Sequence, residues 1–250
     1  MAPAGLPIGS ASVPWPGSGP AARDSVALRI DHQPIDSIAA RTLRADLESG
    51  WAQVEAFFGT PLDGPVTVHL FPDRAALDAH FRETWGMESE CWMVGGAEGP
   101  SSLVLLSPRV WVTQACDHDP SNPEHVRNLV THELVHVFHM QRYGDADFDE
   151  GIGWLVEGIA TLVSGQLDAG QRARAIEALE AGAVPARLAE AWSGPYRYGV
   201  AGSLVEYVDQ RWGRDVLYSL LGAGTQDDVL SALGINEAQL LAEWRAWMSR

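Results

Sequence analysis

Lysine is absent from this chain of 250 residues, and cysteine and long apolar runs are scarce. All 17 basic residues are arginine, and 33 acidic residues leave a formal net charge of −16. Because nucleic acids and anionic membrane surfaces are bound through basic patches, this charge argues against both as partners. The excess of acid favours cationic substrates near a cleft or serves solubility alone, and both interpretations stay open.

No segment is long and apolar enough to span a bilayer, which takes about 20 residues. Residues 152–167 come closest, but Glu157 interrupts them. Residues 1–22 are rich in Pro, Gly, Ala and Ser and lack the basic start and apolar run of a signal peptide. We predict a disordered tether there, of the kind that follows a removed signal or anchor. Export or attachment to the cell envelope is therefore expected over a cytoplasmic location.

The chain has two cysteines, Cys91 and Cys116. They lack the closely spaced partners that a cysteine-based zinc site would need. In an exported protein they would form one disulfide. Two buried free thiols are the alternative, and the sequence does not decide between them.

The order of predicted elements indicates an α+β fold. Strands are predicted at 26–30 and 66–70, helices at 35–58 and 74–85, and a hairpin at 93–97 and 102–106. From residue 123 onward the pattern is helical. We predict that residues 23–250 form a single domain, with a sheet lobe at 23–120, a helical lobe at 121–250 and a cleft between them.

Residues 132–136 read His-Glu-Leu-Val-His, the pattern His-Glu-x-x-His. Residues four apart lie on one face of a helix, so His132 and His136 can reach the same metal ion. Glu133 lies beside them, placed to take a proton from a metal-bound water. Residues 121–124 are typical of a helix start, and Gly144 of its end. The structural alternative is a pair of core histidines with a solvated glutamate.

A second motif follows at 154–160, where the chain reads Trp-Leu-Val-Glu-Gly-Ile-Ala. Glu157 is a candidate third ligand from a second helix, and three protein ligands with one open position are typical of catalytic zinc. His139 competes for that role, but a third histidine ligand needs a helix-breaking glycine and a later histidine, where this chain has Arg142. We expect His139 to pack or to support a ligand.

Together these motifs resemble the gluzincins, thermolysin-like zinc peptidases whose third ligand is a glutamate on a downstream helix. More narrowly, the chain is similar to the bacterial peptidase MA-like group, whose tyrosine helix resembles residues 198–213. The resemblance covers residues 24–250. Between His136 and Glu157 lie 20 residues, more than in better-known gluzincins. The acidic, glycine-containing segment 145–153 is expected to absorb the difference.

The resemblance implies a zinc-dependent peptidase acting on peptide or protein substrates. It assigns Zn²⁺ to His132, His136 and Glu157, and activation of the zinc-bound water to Glu133. Tyr198 is the candidate donor to the oxyanion and Tyr196 the second choice, although either tyrosine could simply pack or cap its helix. Residues 95–99 only poorly match the Gly-x-Met-Glu-Asn motif of aminopeptidases, which favours an endopeptidase.

Two further expectations concern the surroundings of this site. The apolar segment 101–107 is a candidate edge strand that binds substrate through main-chain hydrogen bonds, with an ordinary central strand as the alternative. Asp149, Glu150 and Thr161 are candidates for orienting the ligands.

Two other classes of protein remain open. One is a catalytically inert zinc-binding domain, although Glu133 is not needed for binding metal alone. The other is a metal-free helical interaction domain that uses the Leu- and Trp-rich segment 217–247. Core packing is the alternative explanation of that segment.

Overall fold

The computed structural model describes residues 28–116, 118–146 and 150–250. The predicted tether at 1–22 and the first residues of the predicted strand 26–30 lie outside this part. Among the described helices, none is long and apolar enough to cross a membrane.

Four strands and ten α-helices make up the described regular structure. The strands are β1 (Leu28–His32), β2 (Val66–Phe71), β3 (Gly95–Ala97) and β4 (Ser102–Leu106). The helices are α1 (Ser37–Phe58), α2 (Arg74–Trp85), α3 (Trp111–Gln114), α4 (Pro123–Tyr143), α5 (Gly153–Ser164), α6 (Ala169–Glu180), α7 (Arg197–Trp212), α8 (Arg214–Leu220), α9 (Gln226–Leu233) and α10 (Glu237–Met248). The predicted α+β class, with a small sheet before a mainly helical part, is confirmed.

The strands form one sheet in the order β1-β2-β4-β3. β1 and β4 both run parallel to β2, whereas β3 pairs antiparallel with β4, with Gly96 opposite Val104. The prediction that segment 101–107 is an edge strand is therefore wrong. Residues 103–106 are buried in succession, as expected of a strand covered on both faces. The edge strand on that side is the three-residue β3.

Helix α4 lies against α1 in the core. Gly50, midway along α1, is buried, and a Cβ built on it would lie 2.5 Å from the Thr131 hydroxyl of α4. A side chain at that position would push the two helices apart. Farther along, the rings of Phe58 and Phe138 stack with centroids 4.5 Å apart. Because these contacts fix the rotation of α4 about its axis, they also determine which of its residues face away from α1.

Helices α5 and α7 also approach closely. A Cβ on Gly158 would lie 2.6 Å from the Ala201 carbonyl oxygen, which excludes any larger residue without a shift of the helices. One turn on, the Thr161 methyl packs against Gly202. Most of the large apolar residues of α8–α10 are buried or packed against the core too, and Trp244 donates to the Ser203 hydroxyl at 3.1 Å. Core packing therefore accounts for the apolar C-terminal segment.

Candidate metal centre

The helix that carries the first motif begins and ends close to the predicted positions. Asn122 is its N-cap, and the Asn122 side chain accepts a hydrogen bond from the Glu124 amide at 3.0 Å. Pro123 follows at the first helical position, where its missing N–H has no cost. At the other end the Gly144 amide donates to the Met140 carbonyl. The histidine motif thus lies in the middle of a stable helix.

The structure brings His132, His136 and Glu157 together. One ligand atom from each lies within 4.8 Å of the others. His132 Nε2 is 3.1 Å from Glu157 Oε2, and His136 Nε2 is 3.7 Å from Glu157 Oε1. Helix α4 supplies both imidazoles and α5 supplies the carboxylate, so the three groups face one another across a helix pair. They are a group that could hold a metal ion.

Gln166 orients one of these imidazoles. His132 Nδ1 lies 2.8 Å from Gln166 Oε1, and because an amide oxygen only accepts, the histidine must donate from Nδ1. With Nδ1 protonated, a neutral ring would offer the Nε2 lone pair to a metal ion, and a protonated ring donates from Nε2 to Glu157 Oε2 at 3.1 Å. Such an acceptor behind a metal-binding histidine fixes ring direction and raises its basicity. Gln166 could not be predicted from the sequence, because it follows the helix end at Gly165 and belongs to no periodic pattern.

Electrostatics keep the Glu157 carboxylate charged. Burial raises its pKa, but the charge of His136 and the hydrogen bonds of both histidines outweigh that effect, so the pKa lies well below the usual value. For His136, burial lowers the pKa, but the charge of Glu157 and the hydrogen bond to it have the larger effect. The pKa of His136 is therefore raised. A buried, ionised carboxylate between two imidazoles is a favourable place for a cation.

Glu133 lies beside this group with only 8% of its surface exposed. The Ala97 amide of β3 donates to its carboxylate. Burial raises the pKa of Glu133; the positive charges of His132 and His136 oppose this without cancelling it. A carboxylate with a raised pKa is closer to the range in which a group can both accept and return a proton at neutral pH.

These residues open into a cavity of about 630 Å³. On one side lies the edge strand β3, with Gly95, Gly96 and Ala97 on the wall. The aromatic part of the wall consists of Trp85, Trp92, Trp192 and Tyr198. A mostly apolar, concave space with a few convergent polar groups at its floor is the usual form of a binding site.

Tyr198 is brought to this cavity and Tyr196 is not. The Tyr198 ring meets Trp192 edge to face at 4.9 Å. Burial and then the charge of Glu157 raise the pKa of Tyr198 to about 12, so its hydroxyl remains a donor at neutral pH. Tyr196 instead donates to Glu177 Oε1 at 3.1 Å. Of the two tyrosines, only Tyr198 faces the candidate metal ligands.

Of the other predicted contributors, His139 lines the cavity, whereas Thr161 and Glu150 do not. His139 Nε2 donates to the Leu221 carbonyl at 2.8 Å, which is the expected packing role. Among the described residues the buried Thr161 hydroxyl has no hydrogen-bond partner, so its predicted role in orienting a ligand is wrong. Its helical face turns toward α7 rather than toward the imidazoles. Glu150 is exposed, and Asp149 lies outside the described residues.

A disulfide joins Cys91 to Cys116 with their Cα atoms 5.3 Å apart. The Cys116 amide also donates to the Cys91 carbonyl at 3.1 Å. Of the two alternatives left open by the sequence, the structure has the disulfide. It attaches the loop that carries Trp92, part of the cavity wall, to the segment that follows α3.

Residues 91–231 match a protein family described as BSP, peptidase of plants and bacteria. The matched region is more than half of the chain, and it contains His132, His136, Glu157, Gln166 and Tyr198. No curated protein matches the chain.

Proposed function

This chain belongs to the family of peptidases of plants and bacteria, and we propose that it is a zinc-dependent endopeptidase of the gluzincin type. Its substrates would be peptides or proteins. The observation that carries the proposal is the convergence of His132, His136 and Glu157 within 4.8 Å at the floor of a cavity, with Glu133 beside them.

The residues present fit zinc. Two imidazoles and one carboxylate are the donor set of a catalytic zinc site that keeps one position open. Gln166 supplies the orienting hydrogen bond to His132, and the ionised Glu157 supplies the negative charge. His132, His136 and Glu157 would hold the ion. When bound, zinc is a Lewis acid that polarises a carbonyl group and lowers the pKa of water to about 7.

Glu133 is proposed as the general base. Its carboxylate would take a proton from the attacking water and return it to the amine that leaves as the peptide bond breaks. The raised pKa of Glu133 supports both transfers. The hydrogen bond from the Ala97 amide supports a fixed position for the carboxylate next to the edge strand.

Tyr198 is proposed as a donor to the developing oxyanion. Attack on the carbonyl carbon places negative charge on the former carbonyl oxygen, and a fixed O–H donor stabilises it. With a pKa of about 12, the phenol of Tyr198 keeps its proton at neutral pH. Its contact with Trp192 limits the directions in which the ring can turn.

The edge strand β3 is proposed to bind the substrate backbone. Val94 accepts from Leu106, and Glu98 donates to Ser102, both on the β4 side. Because backbone groups alternate along a strand, both backbone groups of Gly95 and the carbonyl group of Ala97 turn away from β4, whereas the Ala97 amide donates to Glu133. An extended peptide could pair with that edge and cross the cavity, which gives binding with little dependence on side chains.

Glu98 supports an endopeptidase over an aminopeptidase. An aminopeptidase needs a carboxylate free to hold the substrate's terminal amine. Glu98 follows the edge strand, but its Oε1 is 2.5 Å from His80 Nε2. Since this carboxylate already has a partner, it is a poor site for a terminal amine.

We also propose that the protein works outside the cytoplasm. The disulfide between Cys91 and Cys116 supports this, because such bonds persist in oxidising compartments.

Metal content tests the proposal first. The protein, purified without chelators or a nickel column, should contain about one zinc per chain. It should cleave a mixed peptide library, and a chelator should abolish the cleavage. Glu133→Gln should keep the zinc and lose the turnover. Zinc without turnover in the wild type would indicate the inert metal-binding domain, and a chain that takes up no zinc on titration would overturn the proposal.

A further inference from the structure

Arg197, the first residue of α7, is held among aromatic rings that line the cavity of the candidate metal ligands. Its guanidinium carbon lies 4.1 Å from the centre of the Trp92 ring. The rings of Tyr198 and Trp192 follow at 5.4 and 5.8 Å. Stacking of this kind holds the planar group in place, and the N–H groups that do not bind Tyr198 remain able to donate.

Within the described part of the chain, the Arg197 side chain hydrogen-bonds Tyr198 but has no carboxylate partner, and its buried Nε has no hydrogen-bond partner. Three of the other arginines stacked on rings have a carboxylate partner, whereas Arg174, stacked on Tyr196, donates to the Pro195 carbonyl oxygen at 2.8 Å. The pairs are Arg142 with Asp63, Arg211 with Glu243, and Arg214 with Asp209. In a chain with so large an excess of acid, an unpaired and rigidly stacked guanidinium suggests that its partner comes from outside.

The space in front of Arg197 is a second cavity of about 660 Å³. Trp92 and Tyr198 line both cavities, so the second cavity is next to the one that holds the candidate metal ligands. Two carboxylates lie on its wall, but each already accepts a hydrogen bond. Glu90 accepts from Trp92 Nε1 at 2.7 Å, and Asp168 accepts from the Gln171 amide at 2.8 Å. Neither carboxylate forms an ion pair with the guanidinium.

We propose that Arg197 binds a carboxylate of the peptide substrate and so determines where the chain is cut. A guanidinium binds a carboxylate through two parallel N–H···O bonds, which gives orientation as well as affinity. A substrate that extends from the candidate metal ligands past Tyr198 would bring its carboxylate to Arg197. This carboxylate is either the C-terminus or an acidic side chain. The inference rests on the proposed peptidase function.

Paired substrates test this recognition. Two pairs of quenched fluorescent peptides are compared. The members of the first pair differ only at the C-terminus, which is a free carboxylate or a carboxamide. The members of the second pair carry either Glu or Gln near the cleaved bond. The wild type should cleave the acid member of one pair with a kcat/KM about 10- to 100-fold higher, as expected for hydrogen bonds to a charged group. The pair that shows the preference identifies the source of the carboxylate.

Arg197→Gln should remove that preference by slowing cleavage of the acid member alone. Arg197→Lys, which keeps the charge but not the planar fork, should retain part of it. Arg211→Gln is the matched control, because Arg211 lies on the same helix and stacks on Trp212 at 4.6 Å but is paired with Glu243. It should leave the preference unchanged, and melting curves should show all the variants folded.

Two outcomes would overturn the inference. One is a wild type without any acid preference. The other is an equal loss on acid and amide substrates in Arg197→Gln, which would mean that Arg197 only positions Tyr198. If the wild type cleaves no peptide, the proposed function fails, and binding is measured instead. Calorimetry would then compare the binding of the acid and amide peptides. Tighter binding of the acid peptide that is lost in Arg197→Gln would support the inference, and equal binding of both peptides to the wild type would refute it.

Discussion

Replacing Gln166 should weaken metal binding without touching a metal ligand. The His132 ring is buried, and its Nδ1 lies 2.8 Å from Gln166 Oε1. In Gln166→Met the ring loses the acceptor that fixes its tautomer and direction. Loss of such a supporting hydrogen bond costs about 10- to 100-fold in metal affinity. This corresponds to about 1.4 to 2.8 kcal/mol of binding free energy.

The zinc dissociation constant, measured by competition with a chromophoric chelator, checks this value. Gln166→Glu should keep wild-type affinity or exceed it, because the carboxylate still accepts from Nδ1 and adds negative charge behind the imidazole. Gln171→Met, at the wall of the neighbouring cavity, is a matched control that should bind zinc as the wild type does. If Gln166→Met bound zinc as tightly as the wild type, the argument that Gln166 orients His132 would be refuted.

Three further predictions concern other parts of the molecule. Glu133→Gln should lower kcat by about 10²- to 10⁴-fold at unchanged zinc content, and a smaller loss in peptide assays would speak against its role as the base. Tyr198→Phe should lower kcat by about 10²- to 10³-fold, whereas Tyr196→Phe, which removes only the bond to Glu177, should be active; equal effects would contradict the assignment. Replacing Cys91 and Cys116 by serine opens a loop closed across a separation of 25 residues, so urea unfolding should show a loss of about 3 kcal/mol, and unchanged stability would refute that estimate.

The convergence of His132, His136 and Glu157 could be predicted from sequence because each step depends on local regularity. Helical spacing places the two histidines on one face, and the second motif is distinctive enough to single out Glu157. The helix boundaries at Asn122 and Gly144 follow from cap chemistry in the same way. These features need no knowledge of which elements pack together.

The groups that support the site could not be predicted, because they depend on tertiary packing. Gln166 reaches His132 across 34 residues of sequence, and the Ala97 amide reaches Glu133 from a strand. The edge strand was misassigned for a related reason. The run at 103–106 is apolar at every position, which reflects a strand buried on both faces, while the true edge is a short, glycine-rich segment with little strand signal.

One contact between helices links the candidate metal ligand to the candidate oxyanion donor. Glu157 lies on α5 and Tyr198 near the start of α7, and Gly158 meets the Ala201 carbonyl between them. The glycine of the second motif is therefore explained by packing, since any side chain there would separate the two helices. Because a shift of about 1 Å in a reacting group costs about 100-fold in rate, this glycine would affect catalysis without taking part in the chemistry. Two neighbouring residues of the second motif thus have different roles: Glu157 would bind the metal, and Gly158 sets the distance between Glu157 and Tyr198.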